Sequence, residues 1–117
     1  MSITADLIRG NTDTIILAQL VAHDSYGYEI NNAIRQATDN RYELKEATLY
    51  TAFRRLEEAG YISSYWGDEN SGARRRYYSI TQKGQDHYQQ LVTDWNTSYE
   101  IISKLILQSH DFATEGL

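Results

Sequence analysis

The chain has 117 residues, 41% of them hydrophobic, which suits one compact domain and argues against global disorder. It has no cysteine, which excludes disulfides, thiolate zinc sites and thiol catalysis and makes a reducing cytoplasm the expected setting. The net charge of −5 argues against a uniformly basic polyanion binder. No apolar run approaches the roughly 18 residues that span a bilayer, so no membrane partner is expected.

The N-terminus lacks the basic-then-apolar order of a secretory leader. A first helix is predicted from about Thr4 to Ala22, because Leu7, Ile8, Ile15, Ile16, Leu20 and Val21 recur at helical spacing. Its apolar face is longer than one small core needs. After a break at His23-Asp24-Ser25, a second helix is predicted with Ser25 as N-cap, Gly27 in its first turn and Ile30, Ile34 and Ala37 inward. Thr38-Asp39-Asn40 ends it.

A third helix is predicted from near Glu46 to Gly60, a natural residue for closing a helix. Leu49, Phe53 and Leu56 share one stripe, while Ala47, Thr51, Arg54 and Glu58 lie opposite, with Tyr50 and Arg55 on the flanks. Two β-like runs follow, Tyr61 to Trp66 and Arg75 to Ile80, joined by a polar turn bounded by Gly67 and Gly72. Trp66 reads as a packing residue. Thr81 then caps a last helix to about Gln108. At about 27 residues it would be about 40 Å long, more than a winged domain covers.

Along that helix Tyr88, Val92, Trp95, Tyr99, Ile102 and Ile106 are spaced 4-3-4-3-4, the seam of a coiled coil, widened by Leu91, Ile101 and Leu105. The expected partner is a second copy of the chain. Three rings do not interdigitate as aliphatic knobs do. Helices that they hold apart would leave a gap at Tyr88, Trp95 and Tyr99 suited to flat apolar ligands, with Asp94 and Glu100 placed to attract a cation. By spacing alone, Trp95 reads as an ordinary interface tryptophan, since buried aromatics usually just pack.

Helix, helix, helix, hairpin is the order of a winged helix. The fold class is therefore mainly α with a small β-hairpin. A winged helix-turn-helix spans 1–82, its first helix also contributing to the dimer, and a C-terminal dimerisation helix with a short tail spans 83–117. Charge is uneven along the chain. From Arg41 to Lys83 eight basic residues face six acidic ones, net +2, and the remainder carries −7. DNA phosphates are felt within a Debye length of about 8–10 Å, so a local basic face is what counts. Double-stranded operator DNA is the expected partner. Thr48, Tyr50, Thr51, Arg54 and Arg55 of the third helix, with Lys45 just before it, face the groove, and Arg74, Arg75 and Arg76 of the wing meet the backbone. No catalytic order, phosphate loop or cofactor motif stands out. His23, His87 and His110 have no metal-ligand spacing and read as surface residues.

Four segments carry a family likeness: Tyr26-Gly27-Tyr28-Glu29-Ile30, Glu46-Ala47-Thr48-Leu49-Tyr50, Arg55-Leu56-Glu57-Glu58-Ala59-Gly60-Tyr61-Ile62, and Arg75-Arg76-Tyr77-Tyr78-Ser79-Ile80-Thr81-Gln82-Lys83-Gly84. In this order and spacing they resemble the PadR family of bacterial repressors. Ser63-Ser64-Tyr65-Trp66-Gly67-Asp68-Glu69 and the later Trp95 are similar to members that sense multidrug compounds and repress an ABC exporter. The resemblance implies a homodimer that leaves its operator when a planar aromatic compound binds at the dimer interface, against Trp95, Tyr88, Val92, Tyr99 and Thr14. Thr14 stands where such a member has an aliphatic residue, and Tyr99 where it has an acidic one. Two other readings stay open: a winged-helix regulator without small-molecule control, and a drug-binding protein with a vestigial winged domain.

Overall fold

The computed structural model describes residues 3–67 and 74–107. The order is α1 (Ile3–Arg9), α2 (Thr12–Ala22), α3 (Gly27–Ala37), α4 (Glu46–Glu58), β1 (Ile62–Trp66), β2 (Arg76–Ile80) and α5 (Gln82–Leu107). This is the mainly helical, winged arrangement expected, with a long last helix. The hairpin turn over 68–73 and Gln108, the expected end of the last helix, lie outside the described residues.

The single first helix expected from Thr4 to Ala22 is instead two helices with a corner at Gly10-Asn11. Local side chains compete for the carbonyls that a continuous helix would use. Asn11 donates its amide to the Leu7 carbonyl (3.2 Å) and the Thr12 hydroxyl donates to Arg9 O (2.8 Å). Helix α2 then becomes the central element, touching α3, α4, α5 and β2 and burying Ile16, Leu17 and Leu20.

Ser25 does not cap α3, as the sequence suggested. Its N–H donates to Tyr78 O (3.1 Å) and its carbonyl accepts from Tyr78 N (2.7 Å), a single bridge that adds a third strand position to the hairpin. Its hydroxyl donates to Glu29 Oε1 at 2.6 Å. The extended residue before α3 is Tyr26. Gly27 lets α3 and α4 close up, since a Cβ there would lie 2.6 Å from the Tyr50 hydroxyl oxygen and the Tyr50 ring would have to move aside. Ile30 and Ile34 are buried, but Ala37 is exposed.

The turn between α3 and α4 puts Asp39 (φ 53°) and Asn40 (φ 63°) in the left-handed region that short polar side chains tolerate. Asn31 braces the segment beyond it. Its amide donates to Leu44 O (2.7 Å) and its oxygen accepts from Leu44 N (2.8 Å), seating the buried Leu44. Helix α4 ends as expected at Gly60 (φ 85°). Gly60 N–H bonds Glu57 O and Tyr61 N–H bonds Leu56 O, both at 3.0 Å.

The strands pair antiparallel, Ile62 opposite Ile80, Ser64 opposite Tyr78 and Trp66 opposite Arg76. Thr81 caps α5 by accepting Gly84 N–H on its hydroxyl at 3.0 Å. Gly84 is pressed against Tyr61 O, where a Cβ would collide. This contact, with Tyr88 and Leu91 packed on the core, holds the first turns of α5 to the winged body. The rest of the 26-residue helix runs out of a molecule measuring 60 × 30 × 22 Å.

Candidate nucleic-acid interface

Helix α4 presents the face that its sequence implied. Leu49, Ala52, Phe53 and Leu56 are buried, which turns Ala47, Thr51, Arg54 and Glu58 outward. Lys45, immediately before the helix, is exposed and Thr48 is half-buried. Arg54 makes no hydrogen bond or ion pair among the described residues. Arg55 is engaged, in an ion pair with Asp13 of α2. Tyr50 has a double role. Its ring meets Phe53 edge-on (5.5 Å, 75°) and its hydroxyl closes on Gly27, yet nearly half of it is exposed.

The wing divides the three arginines between its two faces. Trp66 and Arg76 are cross-strand partners and share a face. The guanidiniums of Arg74 and Arg76 lie 4.6 and 5.2 Å from the Trp66 ring. Arg76 also donates to Ser64 Oγ (2.7 Å), which donates to Glu57 Oε2 (2.6 Å), so the strand is tied to α4. Arg75 lies over the Tyr26 ring at 4.9 Å, beside a second aromatic set in which Tyr77 meets Tyr26 (5.2 Å) and Tyr65 (5.6 Å). Tyr65 donates to Asp24 Oδ2 at 2.7 Å, and this bond above all holds its phenol above the usual range.

Trp66 is therefore not the packing residue that the sequence suggested. It is 50% exposed and is the platform for two arginines. The cross-strand register carries this information, and a register is not legible from a run of aromatic residues. Two further residues enter unannounced. Arg9 and Thr12, at the α1–α2 corner, line one cleft with Ala47, Thr48, Thr51 and Arg55. The unexpected corner brings them there.

The residues expected to hold a ligand are placed unevenly. Trp95 (47% exposed) and Tyr99 (61%) meet edge-on with ring centres 5.2 Å apart on the outer half of α5. Ile102 and Ile106 continue that open face. Tyr88 and Val92 are half-buried, Tyr88 against its own core. Thr14 is half-buried on α2. Asp94 accepts from Gln90 (2.9 Å), and Glu100 pairs with Lys104 at 3.7 Å. His23 is exposed. His87, expected at the surface, is half-buried and stacks on Tyr61 at 4.0 Å. His110 lies outside the described residues. Among the described residues no helix is long and apolar enough to cross a membrane.

The model of the transcriptional regulator PadR-like family matches residues 16–90, from the middle of α2 through the wing into α5. The chain belongs to this family. Among solved structures, this PadR-like protein is similar to a transcriptional regulator from Clostridium thermocellum. The two are 50% identical with a TM-score of 0.80, over 88% of this chain and 97% of that one. A PadR family transcription regulator from Clostridium difficile is 33% identical with a TM-score of 0.70, over 82% of this chain and 98% of the other. Bacillus subtilis PadR in complex with operator DNA is 17% identical over 69% of this chain and 45% of its own, and its TM-score of 0.62 marks a shared fold.

Proposed function

We propose that this PadR-like protein is a cytoplasmic repressor that binds double-stranded operator DNA as a homodimer and leaves it when a planar aromatic compound occupies the dimer interface. The observation that carries the reading is the outward face of α4. It is small and hydroxylated at Ala47, Thr48 and Thr51 and cationic at Arg54, and the wing adds the arginines that stack on Trp66 and Tyr26. A helix with short side chains at its N-terminal half enters a major groove closely enough for Thr51 and Tyr50 to reach base edges. Flanking guanidiniums, with Lys45, then hold the phosphates.

The dimer is assigned to 83–117, joined by the first helix. The outer half of α5 exposes Trp95, Tyr99, Ile102 and Ile106, and Leu7 and Val21 are exposed on the first two helices. Two-fold symmetry is the expected arrangement. The ligand would stack against Trp95 and Tyr99, with Val92, Tyr88 and Thr14 behind them and Asp94 and Glu100 nearby. A repressor released by such compounds suits control of an efflux exporter for them.

The test is to recover the genomic duplexes that the protein retains and measure their affinity by gel shift. A pseudo-palindrome with half-sites about 10 base pairs apart, or a multiple of that, is expected. Replacing Thr51 or Tyr50 should change which sequences are retained. Binding without sequence preference would remove the repressor reading.

A further inference from the structure

The α1–α2 corner and the outer face of α4 enclose an open cleft of about 350 Å³ lined by Arg9, Thr12, Ala47, Thr48, Thr51 and Arg55. Its polar lining is two guanidiniums and three hydroxyls, without a carboxylate. The Thr12 hydroxyl is committed to Arg9 O and so shapes the corner. The hydroxyls of Thr48 and Thr51 make no hydrogen bond among the described residues. Each guanidinium is held by one carboxylate from beyond the lining, Arg9 by Asp6 at 2.7 Å and Arg55 by Asp13.

We propose that this cleft seats a phosphate of the DNA backbone, with Arg9 and Arg55 as its cations and Thr48 as hydroxyl donor beside the base-reading Thr51, and that Asp6 and Asp13 are the counter-ions that the phosphate displaces. The proposal rests on the DNA-binding reading above and extends it to α1, which the recognition helix and wing alone do not involve. A guanidinium fork matches two phosphate oxygens, which a lone surface lysine does not. Thr48 adjoins Thr51 on the face assigned to the groove, so an anion seated on Thr48 lies on the groove rim, where the backbone runs. The two ion pairs are half-exposed, Arg9 at 51% and Arg55 at 55% of their side chains, and pairs so exposed are held weakly enough to exchange partners. Asp13 therefore holds Arg55 in the free protein and competes for it with incoming DNA.

The experiment is fluorescence anisotropy of a retained operator duplex and a random duplex, titrated over a series of salt concentrations. The proteins are the wild type, Arg9→Ala, Arg9→Lys, Asp13→Asn and Arg54→Ala, each checked for an unchanged unfolding transition. One lost phosphate contact lowers the slope of log affinity against log salt by about 0.9. Arg9→Ala should flatten the slope by that amount per chain and weaken both duplexes equally. Arg9→Lys should restore most of the slope, and Asp13→Asn should tighten both duplexes several-fold. If Arg9→Ala matches the wild type while Arg54→Ala binds more weakly, the cleft is not a phosphate seat and the DNA reading stands. If the wild type shows no salt-dependent binding to either duplex, both fall.

Discussion

The ring of Tyr78, in β2, lies flat on Phe53 of α4, with ring centres 3.9 Å and planes 17° apart. Both rings are buried, so a stacked pair in the core helps to register the wing to α4. Phe53→Ala removes that contact and leaves a cavity in the core cluster that Phe53 shares with Leu49, Leu56 and Ile62. The expected loss is about 3–5 kcal/mol of unfolding free energy. Urea denaturation checks it. A loss under about 1 kcal/mol would show that neighbouring side chains collapse into the space.

Burial holds the Tyr78 phenol above its ordinary value, with the nearby Arg76 opposing the shift. The folded state therefore binds this proton more tightly than the unfolded chain. The resulting stability is complete below the ordinary phenol value of about 10 and is lost as pH rises above it. Tyr78→Phe removes the ionisable group while keeping the stacked ring. Its thermal midpoint should fall less than that of the wild type between pH 9 and pH 11. Parallel curves for the two proteins would assign the alkaline loss to other tyrosines.

At the wing, Trp66 orients two cations without carrying charge itself. Trp66→Ala should weaken DNA binding by about 1 kcal/mol, roughly fivefold, the value of a cation–π contact at an exposed site. The salt slope should not change, because Arg74 and Arg76 remain. Replacing Arg74, Arg75 and Arg76 together by alanine should instead flatten the slope. A flattened slope in Trp66→Ala would mean that the arginines no longer reach phosphate at all.

The proposed dimer places a second copy of the chain on the open face of α5 from Trp95 to Ile106. Ile102→Asp places a charge in the middle of that seam, where burial without a partner is costly. The variant should sediment as a monomer at the micromolar concentrations at which the wild type is expected to be a dimer. It should stay folded, because Tyr88 and Leu91 still hold α5 to its own core. A dimeric Ile102→Asp would move the interface elsewhere.

Two copies of Trp95 facing each other across a two-fold axis would sandwich a flat ligand. Trp95→Ala should lower affinity for planar polyaromatic dyes tenfold or more, equivalent to about 1.4 kcal/mol. The ligand-free variant should keep its operator, because α4 and the wing are elsewhere. It should also stay bound at dye concentrations that release the wild type, since release requires the ligand to prefer the DNA-incompetent arrangement. Equal dye affinity in both proteins would refute the sandwich.

Periodic apolar spacing placed α3, α4 and α5, and aromatic and β-branched runs around a polar turn placed both strands, to within a few residues. A helix buries a stripe and a strand buries a face, and each leaves its period in the sequence. The outward face of α4, with Thr51 and Arg54, followed from Leu49, Phe53 and Leu56 pointing inward. Gly60 and Thr81 mark ends whose geometry depends on one residue each. These features are local, and the sequence by itself determined them.

What depends on contacts between distant residues was decided by the tertiary structure. Ser25 has the chemistry of a helix cap, yet its backbone is captured by Tyr78, 53 positions away. The helix read across Gly10 and Asn11 breaks there because side chains take its carbonyls, and that break sets Arg9 beside Thr48 and Thr51. Trp66 looks like core until the strand register puts Arg76 opposite it. The seam on α5 is uniform in sequence, but its first turns are used by the chain's own core and its last turns are left open. The physical reason is the same in each case. Side-chain identity and period specify what a residue can bond to or bury, and the chain's path in space selects which partner arrives.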